Sequence, residues 1–165
     1  MSSPSTALDE AALWQALAEV PDPEMPVVNL VELGIIREID LNADTARITI
    51  TPTFAACPAY QVMNDMIVAK AQGQGAENVE VIVRNDPPWT SEWIAPEARE
   101  KLRSIGLTPP PRHSGDLVQV LLEPVECPHC GSTQTTLQNS FGTTPCRMIY
   151  TCTACLEPFE MFKPL

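Results

Sequence analysis

Positive charge is scarce in this sequence: 10 lysines and arginines face 21 aspartates and glutamates, giving a net charge of -11 and a pI near 4.5. That balance repels phosphate backbones and excludes general binding to nucleic acid or to an anionic membrane. There is no run of the roughly 18 to 20 apolar residues that a bilayer crossing needs. Met1-Ser2-Ser3-Pro4-Ser5-Thr6 has no basic region followed by an apolar stretch, so the expected location is cytoplasmic. Histidine is limited to His113 and His129, which leaves few candidates for a base beside a nucleophilic thiol. In a reducing cytoplasm, closely spaced cysteines hold metal more readily than they form disulfides.

What is present suffices for one core and a small appendage, with 44% of the 165 residues hydrophobic. Residues 7 to 20 place Leu13, Leu17 and Val20 on one helical face, with Asp9 and Glu10 near the N-terminus. Pro21, Pro23 and Pro26 stop that helix and impose an irregular stretch. A strand is expected over residues 34 to 40 and a second over 45 to 51, where Ala46, Ile48 and Ile50 alternate with polar residues across a turn at Asn42-Ala43-Asp44. Pro58 suits the first turn of a helix whose apolar stripe is Val62, Met63, Met66 and Ile67, and Val79, Val81 and Val83 form a third strand. The order predicts an α+β fold, a small mixed sheet with helices packed on one face, followed by a small β zinc-ribbon module. The expected domains are 1–107, a proline-rich linker with a short strand at 108–124, and a ribbon at 125–165. Trp89 and Trp93, in a stiff aromatic loop, are candidates for a binding surface or for the core rim.

Cys127-Pro128-His129-Cys130 and Cys152-Thr153-Ala154-Cys155 are two CxxC pairs with 21 residues between them. A short turn inside each pair brings two sulfurs to one ion, so Cys127, Cys130, Cys152 and Cys155 are predicted to form a structural zinc site. An iron-sulfur cluster or a rubredoxin-like iron is the alternative for the same four thiolates. Residues 125–165 hold Arg147 and Lys163 against Glu126, Glu157 and Glu160, the wrong balance for a ribbon that reads nucleic acid. Cys146 belongs to neither pair. It reads either as a small buried residue near the ribbon core or, beside Arg147, as a second, labile metal ligand.

Cys57, in Thr51-Pro52-Thr53-Phe54-Ala55-Ala56-Cys57-Pro58, is the lone thiol of the first domain. A helix starting at Pro58 would put it at the N-cap, where free amides and the helix dipole lower a thiol's pKa. The plain alternative is a buried structural cysteine. Asp22 and Glu24 could add oxygen ligands if their loop folds back. No base lies near in sequence for a cysteine hydrolase.

These residues carry a resemblance. Asp22-Pro23-Glu24-Met25-Pro26-Val27, Leu33-Gly34-Ile35 and Thr51-Pro52-Thr53 through Cys57-Pro58 resemble, over roughly residues 8 to 107, the small domain of iron-sulfur assembly and targeting factors. Pro87-Pro88-Trp89-Thr90-Ser91-Glu92-Trp93, the two CxxC pairs, Phe141-Gly142-Thr143 and Glu157-Pro158-Phe159-Glu160 narrow the resemblance to the D-component family of the phenylacetate-degradation ring-epoxidase system. The resemblance implies an accessory protein of aerobic phenylacetate catabolism without catalytic activity of its own, aiding maturation of a diiron or iron-sulfur centre in the phenylacetyl-CoA epoxidase system. It implies a transient iron or iron-sulfur ligand at Cys57, with Cys146 as a candidate second ligand. Partners would be epoxidase subunits or their reductase, or a second copy of the chain in a homodimer. A non-catalytic structural subunit of the complex and a Cys57-dependent thioesterase are the competing readings.

Overall fold

The computed structural model describes residues 8–112, 118 and 122–165, so much of the linker and short strand expected at 108–124 falls outside the described residues. The chain forms two compact units that divide between Pro88 and Trp89.

In the first unit, α1 (Glu10–Leu17) starts at Asp9, whose carboxylate accepts the Ala11 amide at 3.1 Å. Leu13, Leu17 and Val20 are buried, as their spacing predicts, although the helix itself ends at Leu17. The strands β1 (Ile36–Asn42) and β2 (Thr45–Ile50) pair antiparallel across a tight turn in which Ala43 adopts φ +53. After α2 (Tyr60–Gly73), β3 (Asn78–Val83) pairs parallel to β2, giving the order β1-β2-β3 and the expected mixed sheet. Ile39, Ala46, Ile48 and Ile50 are buried on one side with Met63, Ile67 and Ala71 of α2. Val62, expected in that stripe, is instead exposed, because the buried residues follow an i, i+4, i+8 line one position later. The opposite face bears the exposed pairs Arg47–Glu80 and Arg84–Glu38, so helices cover one face only.

The second unit contains a 3₁₀ turn at Ser91–Trp93, α3 (Pro96–Ser104) and the strands β4 (Leu107–Thr108), β5 (Thr135–Asn139), β6 (Arg147–Cys152) and β7 (Pro158–Phe162). Their sheet order is β4-β7-β6-β5, with β4 parallel to β7 and the other pairs antiparallel. Residues 89–107, which the sequence reading groups with the first domain, therefore pack with the cysteine-rich tail. Trp89 is buried 5.6 Å from the Phe162 ring, and the Ser91 amide donates to the Leu165 carbonyl at 2.9 Å. Pro109 and Pro110, the heart of the expected linker, are buried, and the Arg99 guanidinium donates to the Pro110 carbonyl. Among the described residues no helix is long and apolar enough to cross a membrane.

Candidate functional site

The ribbon core consists of Val125, Met148, Tyr150, Phe159 and Met161 around the sulfurs of Cys127 and Cys152. Alternation along β6 turns Met148, Tyr150 and Cys152 inward, which carries Cys152 to the edge of this core. Each CxxC pair sits in a knuckle of the same construction. The Cys127 amide donates to the Ser132 carbonyl at 2.9 Å, and the Cys152 amide donates to the Glu157 carbonyl at 3.0 Å. Both knuckles need a left-handed residue directly after their second cysteine: Gly131 at φ +73 in one, Leu156 at φ +64 in the other.

Cys127, Cys130, Cys152 and Cys155 bring four sulfurs within 4.8 Å of one another, with Cys127–Cys155 at 3.7 Å and Cys130–Cys152 at 3.6 Å. A tetrahedron with metal–sulfur bonds of about 2.3 Å has sulfur–sulfur edges of about 3.8 Å. The donor set thus fits one tetrahedral ion, and edges this short leave no space for a multi-iron cluster. Backbone amides prepare the sulfurs for negative charge. Those of Cys155 and Ala154, with the former dominant, bring Cys152 down to about 6 against opposing burial. The Glu157 amide does the same for Cys155, but burial and the other three sulfurs push that thiol up to about 12. Four thiols this close cannot all ionise without a cation among them, so loading a metal expels protons. His129 lies exposed in the first knuckle and is not part of the sulfur cluster.

Cys146 is buried at 7% exposure, its sulfur 3.1 Å from the Thr144 hydroxyl. Its carbonyl accepts the Lys163 amide at 2.8 Å. In this conformation it is a packed residue of the ribbon and is absent from the sulfur quartet.

Cys57 belongs to the first unit and is half-buried in the loop that carries the chain from β2 into α2. Its amide donates to the Phe54 carbonyl at 3.0 Å, and its carbonyl accepts the Tyr60 amide at 3.2 Å. This turn postpones the helix to Tyr60, so Ala59 rather than Cys57 is the N-cap. The helix-terminal amides still reach the sulfur. Even so, the expected lowering of the thiol's pKa is reversed. Burial pushes Cys57 above its ordinary value of 9.0; the Ala59 amide opposes this, Glu24 and Asp22 add to the rise, and the Tyr60 amide again opposes it. The proline-rich stretch does fold back. Asp22 is buried, its Oδ1 accepting the Glu24 amide at 2.9 Å and the Met25 amide at 2.8 Å, which holds the 22–25 turn beside the thiol. The outcome is a thiol kept protonated mainly by burial and further by the charge of two carboxylates, in a unit whose sequence contains no histidine.

Two family models match the chain: an iron-sulfur cluster assembly protein domain over residues 10–83 and the PaaD zinc beta ribbon domain over residues 117–163. A protein of Escherichia coli K12, named as the D component of a 1,2-phenylacetyl-CoA epoxidase, is 40% identical over 152 residues, 92% of this chain and 90% of its own. Among solved structures, a conserved hypothetical protein of Thermotoga maritima is 30% identical with a TM-score of 0.52, covering 62% of this chain and 98% of its own. A domain of unknown function, DUF59, of Bacillus anthracis is 30% identical with a TM-score of 0.50, covering 56% of this chain and 90% of its own. Both the thiol-bearing α+β unit and the four-cysteine ribbon are thus matched, and the chain belongs to the PaaD family.

Proposed function

We propose that this protein is an accessory factor of phenylacetate catabolism that helps mature the diiron or iron-sulfur centre of a phenylacetyl-CoA epoxidase system. Cys57 is the transient ligand for the iron cargo. The observation that carries this reading is the half-buried Cys57 under the charge of Asp22 and Glu24, on a domain matched by the iron-sulfur assembly model and not a member of the sulfur quartet. The two carboxylates that oppose a bare thiolate favour a cation arriving at it, and bound metal then displaces the thiol proton. A nucleophile would need the reverse, a base and a lowered pKa, which disfavours a thioesterase. The ion of the quartet is zinc, held for structure, because a closed four-thiolate site leaves no open coordination position. The ribbon serves as the docking module toward the epoxidase subunits or their reductase, in the cytoplasm.

The test is to produce the epoxidase and its reductase with either the wild-type protein or Cys57→Ser, and to compare their iron content and activity. The reading expects lower iron with the variant; equal iron and equal activity would overturn it. The name of the Escherichia coli relative favours a second reading, a structural member of the complex. Co-purification at fixed stoichiometry, with full turnover by the Cys57→Ser complex, would select that one.

A further inference from the structure

One cavity of about 320 Å³ in the second unit is walled by α3, by the Thr108–Arg112 stretch and by the residues leading into the first knuckle. Three of the ten cationic side chains of this acidic sequence, Arg99, Arg103 and Arg112, line it, against the single carboxylate of Glu126. Arg99 is only 7% exposed. Its Nη2 donates to the Ser91 carbonyl at 2.7 Å and its Nη1 to the Pro110 carbonyl, while its Nε has no hydrogen-bond partner among the described residues. These acceptors are neutral; Arg112 and Arg103 press on the buried guanidinium with like charge, and Glu92 offsets part of that repulsion. A buried cation whose hydrogen bonds go to carbonyls, with two more guanidiniums beside it and Glu92 as the opposing carboxylate, keeps a surplus of positive charge suited to an anion. The outer two pair with carboxylates at or near the surface: Arg103 with Glu100 at 2.5 Å, and Arg112 with Glu92 at 3.8 Å, whose carbonyl also accepts from Arg112 at 3.4 Å. Such pairs contribute little and are easily given up.

We propose that this cavity binds the oxyanion group, phosphate or carboxylate, of a small molecule. Arg103 and Arg112 turn from their surface partners to hold it, and Arg99 supplies fixed positive charge behind them. Guanidinium forks match both oxyanions, and the volume lies at the small end of ligand pockets. Cys127 also lines the cavity, so the competing role for the arginines is to balance the charge of the tetrathiolate.

The test uses full-length, metal-loaded protein titrated with inorganic phosphate or with acetate, chloride serving as the control at equal ionic strength, while the Thr108 and Glu126 amide resonances are followed. The expected result is a saturable shift with at least one oxyanion and none with chloride, weakened at least tenfold in the double variant Arg103→Ala/Arg112→Ala. Saturation by phosphate alone identifies a phosphorylated ligand, and saturation by acetate a carboxylate. The proposal is overturned if neither oxyanion saturates, or if the double variant binds as the wild type does. Loss of metal from the double variant without any oxyanion response would assign the arginines to the tetrathiolate and equally end the proposal. Both substituted residues are exposed, so the variant is expected to fold.

Discussion

Replacing Gly142 by alanine should loosen the ribbon from its hairpin end. A Cβ built there lies 2.7 Å from Glu160 Oε1, 2.9 Å from Arg147 Cβ and 3.1 Å from the Arg147 carbonyl carbon. Carbon atoms pack at about 3.5 to 4.0 Å, so the methyl needs several tenths of an ångström on two sides. The backbone cannot retreat freely, because the Gly142 amide donates to the Arg147 carbonyl at 2.8 Å. What gives way is the Glu160 carboxylate, which accepts the Thr143 amide at 2.8 Å and pairs with Arg147 at 2.9 Å, both side chains largely buried. Overpacking of this kind costs about 1 to 3 kcal/mol, and we expect ~2 kcal/mol here. With a urea slope of about 1 to 2 kcal/mol per molar, the midpoint falls by about 1 to 2 M. The assay is release of the ribbon's metal to a chromophoric chelator during urea unfolding, which reports the second unit alone. Gly73→Ala, in the first unit, is the control: nothing lies within 4 Å of its added Cβ, and it should leave the ribbon's midpoint unchanged. A Gly142→Ala midpoint within experimental error of wild type would refute the packing argument.

The same network predicts a pH response. Burial works against the Glu160 carboxylate, but the Thr143 amide and Arg147 hold it below its ordinary 4.5, so its contribution is present above that value and lost as pH falls through the lowered one. In Gly142→Ala, acid unfolding of the ribbon should show a smaller loss over that window. Leu156 holds a left-handed conformation while its side chain is 78% exposed, so Leu156→Gly should raise ribbon stability by ~1 kcal/mol in the same urea assay; a decrease would contradict the strain assigned to it. Cys152→Ser removes the fully buried sulfur of the quartet and should abolish metal retention and the folded ribbon, read by elemental analysis and circular dichroism. Metal-loaded protein should alkylate slowly at Cys57 near pH 7, with a rate that climbs as pH rises and has not levelled off at pH 9.0; rapid labelling at neutral pH would mean an activated thiol. The raised pKa also makes Cys57's contribution to stability present below pH 9.0 and lost as pH climbs through the folded value.

The features legible in the sequence were those with local periodicity or local spacing. Ala46, Ile48 and Ile50 alternate into the core as read, and two CxxC pairs can converge wherever a hairpin joins them. The sequence suggests a helix start two residues early because Pro58 fits a first helical turn, whereas the Cys57 carbonyl already closes a turn onto the Tyr60 amide. The direction of the Cys57 shift depends on burial and on Asp22 and Glu24, some thirty residues earlier, and no local motif reports their approach. The domain boundary was hidden for a similar reason. Leu107–Thr108 is a two-residue strand, too short for a periodic signal, and its partner Glu160–Met161 lies fifty residues away. A proline run with ordinary linker composition is buried because Arg99, on a helix that reads as merely charged, turns inward to its carbonyl.

Iron handling by Cys57, separate from the ribbon's ion, is tested most directly by metal analysis of the purified protein after anaerobic incubation with ferrous iron and sulfide. The account predicts that wild-type protein acquires chelatable iron while keeping one zinc per chain, and that Cys57→Ser keeps the zinc but acquires no iron. Equal iron in the variant, or iron gained only as zinc is lost, would contradict it.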